Sequence, residues 1–494
     1  MPPPPSPQAA PVPPPTPREL TSRALHVLEL KQYDDAIVAL RSAANADPLI
    51  APYLHLRVAD AQEALGRIPD AIATATSIIA EAPASSAATI AAIRLPGLYA
   101  AAADVPNMDA ALQQIAAVGV DDLDEADFVS LASRLEKCGF ADRANVVRMR
   151  ILTENTDGRS TEQVYSAIAS ATRSSLDSLP TEEATKLAQS LARADRYDQA
   201  LDLLRRIAAR PDAPASTLYR NVRLHALYNS RNYRQLLGET QNVQLDAPLL
   251  LMRARAAWRL NDDPQFLAGL SRVETEFPKS REAIDAKVLR AKYYVSDEID
   301  FAKSVDNVQQ AISAGVLGTD GDNLWTLGYT YVMWGKYDDA LRTFDDYLRR
   351  YPDGAYNANA LFWSGKVQEK LGNKDARDAA WSQLIARWPF DYYAYRAKEL
   401  GGGQAPTPVR TGEAPVLHFP DVDAELAKVS DPRIDAVREL DAVGLALDAT
   451  REMKSVAAAN RDNVGIEFML AEVYVKSGEP FEAIEIVQRY FRDF

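Results

Sequence analysis

From Leu20 onward, apolar residues recur at steps of three and four, in stretches of roughly ten to fifteen residues broken by Gly, Pro, Asn and Asp. That spacing places the apolar side chains on one face of a helix, and no stretch alternates as a half-buried strand would. The helical pattern itself repeats. Ala36 is followed by Ala71, and Pro48 by Pro83, each 35 residues on. Small or apolar residues recur between them, at Ala24 and Ala59, Leu40 and Ala75, and Ala43 and Ile78. A repeated pair of helices can bury its apolar face only on its neighbours, so the pattern predicts an all-α array of stacked hairpins with strand content near zero.

The clearest copy runs from Asn323 to Pro352, with Leu327, Gly328, Tyr331, Gly335, Tyr337, Ala340, Phe344, Tyr347 and Pro352. It resembles the tetratricopeptide consensus position by position. Gly328 and Ala340 are small enough to let two helices approach, while Tyr331, Phe344 and Tyr347 fill the space toward the next hairpin. The following copy is offset by 37 residues, Gly328 to Gly365 and Pro352 to Pro389. Fainter copies lie at Ala188, Leu191, Tyr197, Ala200, Leu204 and Ile207, and at Ala471, Tyr474, Gly478, Ala483, Val487 and Tyr490. Between about 85 and 180, and from 210 to 300, the signature fades and hairpins of variable length are expected.

The stretch GGGQAPTPVRTGEAP, residues 401–415, carries four glycines and three prolines and cannot continue a helix. The expected organisation is a proline-rich, disordered arm over 1–18, a superhelical array of tetratricopeptide-like hairpins over 19–400, a Gly/Pro-rich linker over 401–417, and a short helical domain over 418–494.

Around this linker the sequence resembles the soluble lytic murein transglycosylases. In residues 351–402 the resemblance rests on Leu361, Phe362 and Trp363, Gly372 and Ala376, Pro389, Tyr392 and Tyr393, then Ala397, Leu400 and Gly401. In residues 431–454, similar to that family's linker domain, it rests on Glu439, Leu440, Gly444, Leu445 and the run from Ala449 to Glu452. The resemblance implies a ring or horseshoe of helices beside a lysozyme-like module. That module cleaves the glycan strand of peptidoglycan with one glutamate, acting first as acid and then as base. It also implies a periplasmic or cell-envelope location. The sequence departs from the family in having no Glu-Ser dipeptide and no Gly-Leu-Met-Gln motif. The chain is expected to stop about where the catalytic module would begin, and to be inactive alone.

Charge narrows the partners. With 55 basic and 69 acidic residues the net charge is −14, and no long Lys/Arg run offers the concentrated positive surface that nucleic acid needs. No apolar run is long enough to cross a bilayer, and the arm MPPPPSPQAAPVPPPTP lacks the features of a secretory signal. The four histidines, His26, His55, His225 and His418, stand singly, and no P-loop or dinucleotide fingerprint occurs. No catalytic residue, cofactor or metal site is therefore assigned. The acidic run at 121–128 reads as a solvated helix start, and the lone Cys138 as a small core residue.

Two aromatic groups remain as candidates. Trp388, Tyr392 and Tyr393 could contact a glycan, since rings stack on pyranose faces, although packing between helices is the better explanation of such rings. Tyr490, Phe491 and Phe494 put rings on two adjoining helix faces and are a candidate interface; Ala483, Val487, Tyr490 and Phe494 would form one stripe, widened by Phe491. The resulting reading is the non-catalytic scaffold of a bacterial lytic transglycosylase, holding peptidoglycan strands or docking a catalytic module. The alternative is a free-standing adaptor that takes protein partners in its groove.

Overall fold

The computed structural model describes residues 14–120, 123–213, 215–401, 421–461 and 463–490. Most of the proline-rich arm, nearly all of the Gly/Pro-rich linker, His418, Phe491 and Phe494 lie outside the described residues. Within them the chain forms 28 α-helices and no strand, in agreement with the all-α expectation. Its contacts gather into two compact units, Met1–Tyr219 with Leu417–Phe494, and Arg220–Val416.

The first unit opens on a well-capped helix, Pro17–Glu29. The Thr16 hydroxyl accepts from the Glu19 amide at 3.3 Å, while Glu19 accepts from the Thr16 amide at 2.8 Å. This reciprocal pair satisfies two donors that a helix start leaves open, and Pro17 at the first position has no amide to lose. Helix Tyr33–Ala46 completes the hairpin; Ala51–Ala64 and Ile68–Glu81 form the next. The repeated positions Ala24, Ala36, Leu40, Ala43, Ala59, Ala71, Ala75 and Ile78 are all buried, so the 35-residue period is the period of the core. Each tight turn holds one residue in the left-handed region, Lys31 at φ 58° in the first hairpin and Gly66 at φ 73° in the second. Where the signature fades, lengths do vary, from 16 residues in Ser86–Ala101 to four in Ser175–Ser178.

Two local expectations are corrected. Cys138 is exposed, at the cap that ends helix Glu125–Lys137, because the next residue, Gly139, turns the chain outward at φ 89°. The acidic run does begin a helix, but it is not solvated throughout. Glu125 is buried, and its carboxylate accepts from the Ser160 amide at 2.7 Å.

The C-terminal helices share the core of the first unit. Leu426, Val437, Leu440, Met453, Val456 and Ile466 belong to the same apolar cluster as Leu40, Tyr53, Leu54 and Ile90. Helix Ala446–Ala459 packs against Ser86–Ala101. The residues that follow the linker in sequence thus complete the hairpins that begin the chain.

In the second unit, hairpins Asp322–Trp334 with Tyr337–Arg350 and Asn357–Lys370 with Lys374–Arg387 precede the single helix Tyr392–Glu399. The 37-residue offset is visible in their packing. A Cβ on Gly328 would lie 2.5 Å from the Phe344 ring, and one on Gly365 would lie 2.1 Å from Trp381 Nε1. Each glycine makes room for the aromatic ring of its partner helix, and both rings are fully buried.

Candidate functional site

A continuous run of aromatic rings crosses the helices Asp322–Trp334, Asn357–Lys370 and Tyr392–Glu399 of the second unit. Trp325 and Tyr329 stand four residues apart on the first helix, with centroids 5.6 Å apart. Trp325 also stacks on Tyr356, which caps the next helix, at 6.0 Å and an interplanar angle of 5°. Tyr329 meets Trp363 edge to face at 5.0 Å, and Trp363 meets Phe362 at 5.8 Å. Phe362 contacts Tyr393 at 5.1 Å, and Tyr393 meets Tyr392 at 5.3 Å. Offset and edge-on contacts of this kind suit the quadrupoles of the rings and hold them stiffly.

The run is only partly covered. Trp325, Tyr329, Tyr356, Trp363 and Tyr393 are half-buried. At its end Tyr392 is 66% exposed, and the nearby Phe390 is fully exposed at 101%. Burial pushes the Tyr393 phenol above its ordinary value, against a hydrogen bond with the Trp363 side chain that favours the ionised form. Near Trp325 the carboxyl of Asp322 is likewise pushed up by burial, while the Lys292 ammonium pulls it down. The surface therefore offers flat apolar faces with polar edges, suited to extended segments that carry rings or other flat apolar faces.

Of the three residues proposed for glycan contact, Tyr392 and Tyr393 belong to this run. Trp388 caps the end of helix Lys374–Arg387, where the Arg387 guanidinium lies 4.5 Å from the ring centroid. Trp325, Tyr329 and Trp363 escaped assignment because consensus matching scores a ring as packing; the spacing of Trp325 and Tyr329 was the available signal. Of the candidate interface, Phe491 and Phe494 lie outside the described residues. The proposed stripe divides: Ala483 is buried and Tyr490 half-buried against the unit, whereas Val487 points outward.

In the first unit a cleft of about 380 Å³ is lined by Pro48, Pro52, Tyr53, His55, Arg433 and Glu452 among others. Glu452 is only 1% exposed. Its Oε2 accepts from the Ser86 amide at 2.7 Å and from the Tyr53 hydroxyl, and Arg433 Nε lies 3.9 Å from Oε1. Two further polar links cross the same seam. Asp448 pairs with Arg57, and Arg451 donates to the Leu123 carbonyl and, at 2.6 Å, to Asp127. These groups hold the C-terminal helices on the first hairpins. Among the described residues, no three His, Cys, Asp or Glu side chains are grouped to hold a metal ion, and no helix is long and apolar enough to cross a membrane.

Comparison with known proteins yields the repeat. A tetratricopeptide-repeat family model matches residues 322–354, the hairpin that begins the aromatic run. No curated protein matches. Among solved structures, the type IV pilus biogenesis factor PilW is similar at 18% identity and a TM-score of 0.35, over 44% of this chain and 98% of its own. An inactive mutant of the lytic transglycosylase Slt from Pseudomonas aeruginosa is similar at 17% identity and a TM-score of 0.41, over 95% of this chain and 70% of its own. Human IFIT1 is similar at 13% identity and a TM-score of 0.29, over 96% and 94%.

Proposed function

We propose that the chain is a tetratricopeptide-type scaffold for protein interaction, and that the aromatic run of its second unit takes an extended partner segment rich in proline. The observation that carries this reading is the partly exposed succession Trp325, Tyr329, Trp363, Phe362, Tyr393 and Tyr392, in which only Phe362 is buried and successive rings follow one another at 5.0 to 5.8 Å. Proline-rich segments are already extended, and so lose little entropy when they settle on aromatic grooves.

A second reading has the same surface hold peptidoglycan strands in the cell envelope, as the non-catalytic part of a lytic transglycosylase. It is favoured by the exposure of Tyr392 and Phe390 and by the sequence resemblance of residues 351–402. Titration of indole fluorescence separates the two. Quenching by proline-rich peptides, weakened at least tenfold by Trp363→Ala, supports the protein partner. Quenching by purified glycan strands alone supports the second reading, and no response to either ligand overturns both.

A further inference from the structure

The seam of the first unit uses only one of the two Glu452 oxygens. Oε2 takes both donors, the Ser86 amide at 2.7 Å and the Tyr53 hydroxyl, whereas Oε1 is buried and accepts no hydrogen bond. Arg433 does not serve it. Its Nε lies 3.9 Å from Oε1, and each guanidinium nitrogen is bonded elsewhere: Nε and Nη2 to Asp431 at 3.0 and 2.7 Å, Nη1 to Ser455 Oγ at 2.9 Å. A buried carboxylate oxygen without a donor costs stability, and a donor from outside the chain would recover it. The cleft of about 380 Å³ that Glu452 and Arg433 line is where such a donor can enter.

We infer that this cleft binds a primary ammonium group on a short unbranched apolar chain, the ammonium donating to Glu452 Oε1 and the chain lying on Leu49, Pro52 and Ile78. Charge selects a cation. Of the charged side chains that line the cleft, Glu452 and Glu81 face one arginine, and Asp431 already neutralises that arginine. His55 supplies no balance at neutral pH, because burial pushes it below its ordinary value and the opposing pull of Glu81 is the smaller effect. Depth selects the head group: an oxygen this buried is reached by a slender N–H donor and not by a methylated one. The apolar walls select the chain, and a cleft at the small end of ligand sites keeps it short. A free amine and a lysine side chain of a partner share this chemistry. The inference is independent of the aromatic run.

Calorimetric titration of the full chain with n-butylamine at neutral pH should give a dissociation constant on the order of 1 mM, as suits so small a ligand. Butyltrimethylammonium, which has no N–H, should not compete with it. In Glu452→Gln the side-chain carbonyl keeps the Ser86 and Tyr53 bonds, so the melting temperature should hold. Its amide nitrogen puts a donor where the unused oxygen was, and the affinity should fall roughly tenfold or more. Leu49→Ser, at a side chain 47% exposed and outside the seam, should weaken binding roughly threefold without loss of stability. Lysine blocked at both ends distinguishes the sources: tighter binding than butylamine assigns the ammonium to a partner protein, weaker binding to a free amine. A parent that does not bind butylamine overturns the inference. So does equal binding of butyltrimethylammonium, or a folded Glu452→Gln variant that binds as the parent does.

Discussion

The Tyr53 hydroxyl donates to Glu452 Oε2, joining residues 399 positions apart in sequence. The same oxygen accepts from the Ser86 amide, so the carboxylate is fixed from two directions by the first hairpins. Removing one donor leaves a buried charge short of a partner, and Tyr53→Phe is expected to cost about 1–3 kcal/mol. Denaturant unfolding monitored by circular dichroism measures this directly.

The same pair gives an alkaline signature. Burial, and then the Glu452 charge, push the Tyr53 phenol above its ordinary value of 10.0. The folded chain therefore keeps a proton that the unfolded chain surrenders above that pH, so this contribution is whole below about pH 10 and is lost as pH rises further. Tyr165, raised by burial and by Asp202, behaves alike. Tyr53→Phe should accordingly lose less stability than the parent between pH 9 and 11, because one raised phenol is gone while the others, Tyr165 and Tyr393 among them, still contribute. Equal losses would show that Tyr53 is not the group responsible.

Arg451 is buried and bonds to the Leu123 carbonyl and to Asp127, with Asp124 at 3.3 Å. Arg451→Ala strands these acceptors and is expected to cost roughly 3 kcal/mol, the lower end for a broken buried pair, because Arg94 remains 3.7 Å from Asp127. Hydrogen exchange is the telling measurement. Helix Ala446–Ala459 should lose protection first, while Asn357–Lys370 in the other unit keeps its own.

Gly365→Ala tests the offset between repeats. The new methyl would meet the Trp381 indole, which is buried and donates to the Phe362 carbonyl at 3.0 Å. Overpacking of this kind costs roughly 1–3 kcal/mol, and the second change Trp381→Leu should recover part of it by vacating the contested space. A double variant no more stable than Gly365→Ala would show that the methyl is resisted elsewhere.

Sequence reasoning read the helices and their buried faces well, because a repeat sets the same demand many times. Ala36 and Ala71, or Gly328 and Gly365, are small for one steric reason encountered twice. It read the turns less well. Gly66 and Gly335 mark left-handed positions plainly, but Lys31, Ala103 and Arg231 adopt the same conformation without any local sign, held there by the helices on either side. It could not read the seam at Glu452 at all. Periodicity reports how a helix meets its neighbours in the chain, whereas Tyr53, Arg57 and Asp127 meet partners from the opposite end, and nothing in their own segments announces a distant carboxylate or guanidinium. The aromatic run was half legible, since Tyr392 and Tyr393 stand out by crowding while Trp325 and Trp363 hide within the consensus.

That seam sets an order of events during synthesis. Leu40, Tyr53 and Ile90 leave the ribosome early, yet part of what covers them, around Val437, Met453 and Ile466, is made only after more than three hundred further residues. Until then the first hairpins carry an open apolar flank and the hydrogen-bond donors of Tyr53 and Ser86 without their acceptor. These hairpins are thus complete only once the residues that follow the linker have been made. A premature stop anywhere before Glu452 would release a product whose beginning, rather than its truncated end, presents the sticky surface that chaperones and proteases engage.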